Sequence, residues 1–122
     1  MREALVNHAI SCRPEECCGL VATDSNGRIR MVYPLTNSLH SPTRFTIEPT
    51  EQFGAVRHAE RCGWDIGGVF HSHPDGEAAL SPVDVKQPHD PAWFHLVVGL
   101  LPDPHIRAWR ITGGEAAELA IR

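Results

Sequence analysis

The sequence predicts one α/β domain, more strictly α+β: a mixed β-sheet flanked by two or three helices. Three observations lead there. The chain of 122 residues accommodates one domain and leaves little room for a second. Its hydrophobic share of 42% suffices for a core without disulfide staples. Segments of helical period alternate with short apolar runs that read as strands, and a hairpin between two of them favours a mixed over a fully parallel sheet. No internal repeat or low-complexity tract interrupts the pattern, so residues 1–122 are taken as a single domain.

Taken in order, Arg2 to Cys12 sets Leu5, Val6, Ala9 and Ile10 at helical spacing, and Pro14 ends the run. Cys17 to Thr23 reads as a buried strand. Asp24-Ser25-Asn26-Gly27 is a turn, and Arg28 to Tyr33 returns as the second arm of a hairpin. Thr36 to Pro42 is a polar loop, and Arg44 to Ile47 is expected to be a short strand closed by Glu48-Pro49. From Thr50 to Cys62 a helix is expected with Phe53, Val56 and Ala59 on its buried face and Gly63 as its stop. Asp65 to Phe70 is a buried strand running into His71. Asp75 to Leu80 is a loop, and Val83 to Gln87 is a short helix with Ser81 as N-cap and Pro82 in its first position, stopped by Pro88. Trp93 to Leu101, Ile106 to Ile111 and Glu118 to Ile121 complete the strands, the last two separated by Thr112-Gly113-Gly114.

Composition excludes several functions. A net charge of −4 gives no footprint for phosphate neutralisation, so nucleic acid is not an expected partner. No apolar stretch approaches the roughly 20 residues needed to cross a bilayer, and the first residues lack the basic and apolar regions of a signal peptide. Without an export signal the four cysteines are expected to be reduced thiols of a cytoplasmic protein. Adjacent Cys17 and Cys18 lie in an apolar run and read as small buried hydrophobes rather than nucleophiles. No C-x-x-C pair offers a zinc ribbon.

The informative segment is Gly68-Val69-Phe70-His71-Ser72-His73-Pro74, followed by Ser81-Pro82-Val83-Asp84. Histidines at i and i+2 on a strand project to the same side, so His71 and His73 can reach one metal. The loop that follows is long enough to return Asp84, in the first turn of a helix, to the same point. Two imidazoles and a carboxylate make three protein ligands, leaving the fourth tetrahedral position for water, as in catalytic zinc sites. Zinc would bring the pKa of that water toward about 7. A carboxylate outside the ligand set must then move the proton, and Glu16, directly before Cys17-Cys18-Gly19-Leu20, is the candidate. Ser81 can donate a hydrogen bond to a developing oxyanion. Each residue has a plainer reading alone: H-x-H pairs occur by chance, Ser81 caps a helix, Asp84 is a favourable first-turn charge, and Glu15 is a solvated neighbour. Their joint spacing gives the set its weight. His8, His40, His58, His89, His95 and His105 lack paired spacing and read as surface or structural, with His95 hydrogen-bonded inside its strand. Trp64, Trp93 and Trp109 read as core or edge packing.

With Glu16, His71, Ser72, His73, Pro74, Ser81 and Asp84, the sequence resembles the JAMM/MPN+ metalloproteases, whose signature is a Glu, then H-S-H-P, then S-x-x-D. The resemblance also takes in the first helix, the Arg44-to-Pro49 strand and the Thr50-to-Cys62 helix. It implies a cytidine-deaminase-like fold and a Zn2+ hydrolase with His71, His73 and Asp84 as ligands, Glu16 as general acid/base and Ser81 as oxyanion donor. The free-standing prokaryotic members that this chain looks most like cut after the C-terminal Gly-Gly of a small ubiquitin-like or sulfur-carrier protein, and such a carrier is the implied partner. The chain departs from the family in its brevity. Little precedes the first helix, and long insertions used to grip polyubiquitin have no room.

The leading reading is therefore peptide or isopeptide hydrolysis, with the Arg44-to-Ile47 edge as a place for an extended tail to pair. A deaminase is the nearest enzymatic alternative, but its H-x-E and P-C-x-x-C elements are absent. A non-catalytic module for a ubiquitin-like partner is a second alternative. A DNA-associated reading follows from the related motif of RadC-type proteins, against which the acidic balance and Ser72 argue. The released group, the choice between sulfur metabolism and tag removal, and the oligomeric state are not legible in the sequence.

Overall fold

Apolar runs without helical period become the centre of a six-stranded sheet. The computed structural model describes residues 1–121. Its elements are α1 (Arg2–Cys12), β1 (Cys18–Thr23), β2 (Ile29–Leu35), α2 (Pro49–Arg61), β3 (Asp65–His73), α3 (Pro82–Lys86), β4 (Phe94–Gly99), β5 (His105–Thr112) and β6 (Glu115–Leu119). The strand order is β2-β1-β3-β4-β5-β6, with β3–β4 the parallel pair and the rest antiparallel. The expected mixed sheet and three helices are thus present. All six residues of β1 are buried, as suits a central strand covered on both faces.

One core lies between the sheet and α1, where Leu5, Val6 and Ala9 meet Cys17, Val21, Phe70 and Val98. The other lies under α2, where Ala55 and Ala59 meet Leu20, Tyr33, Phe45 and Val69. Both adjacent cysteines are fully buried, one in each core, and all four are free thiols. Burial pushes the thiols of Cys17 and Cys18 up to about 12, so they behave as hydrophobes.

Three expectations are corrected. Phe53 is 63% exposed. The α2 stripe that meets the sheet is Ala55, Val56 and Ala59, and Phe53 stands outside it under the Arg57 guanidinium. Arg44 to Ile47 is not a strand: it forms one isolated bridge, Asn37 to Ile47. Its backbone is held by a side chain instead. Asn37 Nδ2 donates to Arg44 O at 3.0 Å, and Thr46 N donates to Asn37 Oδ1 at 3.2 Å. The last strand is Glu115–Leu119 rather than 118–121, because Gly113 and Gly114, at φ 58° and 81°, make a two-residue hairpin turn that sets Thr112 opposite Glu115.

Gly19 illustrates how tightly β1 is packed. A Cβ there would lie 2.0 Å from Tyr33 O and 2.3 Å from Phe70 Cζ. Gly19→Ala is expected to cost about 3 kcal/mol, at the upper end for overpacking, read as a lowered urea midpoint at unchanged m-value.

Candidate metal centre

The register of β1 against β3 assembles the site. Cys18 pairs with His71. The pairing continues past the end of β1, since Ser72 N donates to Cys17 O at 3.2 Å and Cys17 N donates to Ser72 Oγ at 2.7 Å. Carried one residue further, it sets Glu16 opposite His73. Glu16 is fixed on its other side by the 37–47 loop: Glu16 N donates to Ser41 O at 2.9 Å, and Asn37 Nδ2 donates to Glu16 O at 3.1 Å. Asn37, buried, therefore organises both the loop and the carboxylate beside it. Nothing in the sequence marked it, because its partners are backbone atoms of distant residues. Glu15, next to Glu16, faces outward and pairs with His40 at 3.0 Å.

His71, His73 and Asp84 each offer one ligand atom, and these atoms lie within 4.8 Å of one another. Asp84 is brought there by the capping box of α3. Asp84 N donates to Ser81 Oγ at 3.1 Å, and Ser81 N donates to Asp84 Oδ2 at 2.9 Å. Ser81 is thus the expected cap, and because its oxygen is the acceptor its own hydroxyl proton is free to serve another group. His73 Nδ1 donates to Glu77 O at 2.8 Å. Its other nitrogen, Nε2, faces Asp84 Oδ2 at 3.0 Å.

This donor set fits a cation. With Nδ1 protonated, a neutral His73 presents a lone pair to a carboxylate oxygen, which needs a proton or a metal ion between them. His71 Nε2 lies 3.3 Å from the same oxygen without hydrogen-bond alignment. Among the described residues, the buried side-chain nitrogens and oxygens without a hydrogen-bond partner are both nitrogens of His71, Glu16 Oε1 and His95 Nε2. Three of these four atoms belong to the cluster, and buried polar atoms are rarely left unpaired without a functional reason. The Phe45 ring stacks on His71 at 4.8 Å and closes one side.

Electrostatics divides the carboxyls into two roles. Burial pushes the Glu16 carboxyl up to about 8, helped by the nearby Asp84 charge and opposed by His73. Asp84 is also disfavoured by burial, but the close approach of the His71 and His73 imidazoles and the hydrogen bond from Ser81 N outweigh that and hold it well below the usual carboxylate range. Burial lowers His71, which stays a neutral imidazole as a ligand must. Burial also pulls on His73, but Asp84 and the Glu77 carbonyl prevail and raise it. Two carboxyls whose environments push them apart are the arrangement that acid–base chemistry needs.

Two histidines read from sequence as ordinary lie near the centre. Val69 pairs with His95 and His71 with Val97, so His95 faces the same side of the sheet as His71. It is buried, T-stacked on His89 at 5.1 Å, and held neutral, its value lowered to about 4 by burial and then by His89. Its Nε2 lacks the hydrogen bond expected of it. Together with Trp93, Phe45 and Ile47 it lines a cavity of about 270 Å³ that reaches His71 and Asp84. A separate open cleft, of about 470 Å³, is lined by Glu16, His73, Pro74 and Ser81. The cluster is thus approached from two sides.

These features define the class: an α+β domain of the JAB1/MPN fold carrying a candidate His-His-Asp metal centre. The fold is shared with a JAB1/MPN domain protein from Archaeoglobus fulgidus at TM-score 0.58, 19% identity and coverage of 96% of this chain and 89% of that one. The family model described as prokaryotic homologs of the JAB domain matches residues 1–112, and the chain belongs to that family. The CysO-cysteine peptidase of Mycobacterium tuberculosis is 34% identical over 94% of this chain and 81% of its own length. The desampylase of Haloferax volcanii is 29% identical over 98% of this chain and 89% of its own length. A solution structure of a protein from Desulfitobacterium hafniense superposes at TM-score 0.85 with 34% identity, covering 96% of this chain and 84% of that one.

The raised Glu16 carboxyl gives a pH signature in the metal-free protein. Its folded value lies above its unfolded one, so the folded state holds the proton between about 4.5 and 8 and stability falls as pH rises through that window. Glu16→Gln is expected to remove this slope. By urea denaturation the variant should be more stable than the parent at pH 8.5 by about 2–4 kcal/mol and nearly equal to it at pH 4.5.

Proposed function

We propose that the chain is a zinc-dependent peptidase that hydrolyses a peptide or isopeptide bond after the C-terminal Gly-Gly of a small ubiquitin-like or sulfur-carrier protein. The observation that carries this reading is the buried Glu16 carboxyl, raised to about 8 and set by strand register beside three candidate ligands. The names of the mycobacterial and haloarchaeal relatives support the substrate class.

His71, His73 and Asp84 would hold the ion. Zinc bound there would supply Lewis acidity and an acidified water. Glu16, near neutrality and buried, takes a proton from the attacking water and returns it to the leaving amine. The Ser81 hydroxyl donates to the oxyanion of the tetrahedral species, a role its capping geometry leaves open. Asp84, held ionised, stays a ligand rather than a competing acid. An unbranched Gly-Gly tail suits the approach, since glycine lets its backbone come close to the floor of a cleft.

The Arg44-to-Ile47 segment, although not a strand, remains the proposed edge for the tail. Its carbonyls at Arg44 and Thr46 already accept from Asn37 and Ser38, and the Phe45 carbonyl accepts from the Gln87 side chain. A tail N–H pairing there would share the Phe45 carbonyl, which has a second lone pair, with Gln87.

Mass spectrometry of Gly-Gly-tailed carriers incubated with the zinc-loaded protein is expected to show release of the attached group. Glu16→Gln should retain the metal and lose about 10²- to 10⁴-fold in rate, and Ser81→Ala about 10²- to 10³-fold. A zinc-loaded protein that leaves every carrier intact overturns the reading, as does a fully active Glu16→Gln. Ile47→Pro is expected to raise KM for such carriers, and unchanged cleavage would remove the 44–47 edge from the tail's path.

A further inference from the structure

We propose that His105 is a positioning residue for His73, acting through the single peptide unit between Glu77 and Ala78. It rests on His73 being a metal ligand, not on which bond the protein cuts.

The sheet register aligns three residues across three strands. His73 pairs with Gly99, and Gly99 pairs with His105. The two histidines thus stand on either side of a residue without a side chain, and the loop between β3 and α3 drops into the gap. A Cβ at position 99 would lie 2.5 Å from Ala78 N, 2.8 Å from Glu77 C and 2.6 Å from His105 Cε1. One peptide group lies there, and its two ends serve different histidines. The Glu77 carbonyl accepts from His73 Nδ1 at 2.8 Å. The Ala78 N–H donates to His105 Nε2 at 2.9 Å. In a trans peptide the C=O and N–H point in opposite directions, so one plane reaches both rings.

The tautomer of His105 is itself determined. Its Nδ1 donates to Asp103 O at 2.7 Å, so in the neutral ring Nε2 is the unprotonated acceptor that the Ala78 N–H requires. Trp109, also on β5, adds a second fastening: its Nε1 donates to Ala78 O at 2.9 Å. Ala78 is fully buried, with both backbone polar groups held by side chains of β5.

The consequence falls on His73. With the plane as it stands, His73 carries its proton on Nδ1 and turns the lone pair of Nε2 toward Asp84 and the centre. Were the plane to flip, an N–H would face Nδ1, the proton would move to Nε2, and the ring could not ligate through that atom. His105 accepts only from the productive orientation. It therefore selects the ligating tautomer of a residue it does not touch, as outer partners of metal-bound histidines do.

The test reads metal affinity and ring tautomer rather than hydrolysis, so it stays separable from the proposed peptidase activity. In wild-type, metal-free protein at alkaline pH, nitrogen NMR should place the His73 proton on Nδ1 and show a coupling across the hydrogen bond from Ala78 N to His105 Nε2. His105→Leu is expected to mix the two His73 tautomers and weaken zinc binding about 10- to 100-fold, with the midpoint of metal-free unfolding much less affected. His105→Gln, whose side-chain oxygen can accept from Ala78 N–H, should restore most of that affinity. Trp109→Phe, which removes one donor but leaves the peptide plane anchored, should weaken zinc by a smaller factor. Wild-type zinc affinity and an unmixed tautomer in His105→Leu overturn the proposal. Failure of His105→Gln to improve on His105→Leu also overturns it. Should the leucine variant not fold, the wild-type coupling decides, and its absence overturns the proposal.

Discussion

The pairing of β1 with β3 is the constraint on which the site depends. Cys18 opposite His71 is one rung of an antiparallel ladder, and it fixes which face every neighbour presents. Because side chains alternate with a period of two, a slip of one residue would turn Glu16 away from His73 and exchange the two cores. The slip is prevented by packing rather than by the site. Gly19 fits beneath Phe70 and against Tyr33 O only in this register, and Cys17 and Ser72 lock the end of the ladder with a side-chain bond. The same logic extends across the sheet, where Gly99 between His73 and His105 leaves room for the loop whose Glu77 carbonyl meets His73.

The site concentrates groups that a fold would otherwise avoid burying together. One carboxylate stays ionised because two imidazoles and the Ser81 N–H surround it. The other, with an unpartnered oxygen, is pushed toward neutrality. Burial of unpaired polar atoms costs stability, and here those atoms converge on one point that suits a cation. The capping box of α3 shows the economy of a short chain. Ser81 ends the loop, starts the helix, anchors Asp84 and keeps a hydroxyl proton to spare.

Much of this was legible in order along the chain. The histidines at i and i+2, the Ser-Pro helix start and the aspartate three residues after the serine are local patterns, and each forms as expected. The α1 helix, the first hairpin and the buried cysteines follow from periodicity and turn chemistry. Apart from the start of the last strand, set by the Gly113-Gly114 turn, what was misread concerns partners distant in sequence. Phe53 fits a helical face, but α2 meets the sheet through its alanines, and a bulky ring is left outside. Arg44 to Ile47 has strand composition, yet it runs beside Asn37, whose carboxamide supplies the bonds that a neighbouring strand would have made. His95 and His105 lack any local signature. One gains its place from facing the same side of the sheet as His71, the other from a strand pairing.

The sequence by itself determined the class of fold, the three candidate ligands, the candidate proton carrier and the helix cap, because these rest on spacing within a strand, a turn or one helical turn. Tertiary structure alone decided that the Glu16 carboxyl is raised, that Asn37 holds the loop around it, and that the peptide plane over Gly99 sets a carbonyl against His73 Nδ1. Those outcomes depend on strand register and on exclusion of water. Both arise only when residues 16, 37, 73, 84, 99 and 105 are brought together by the folded sheet.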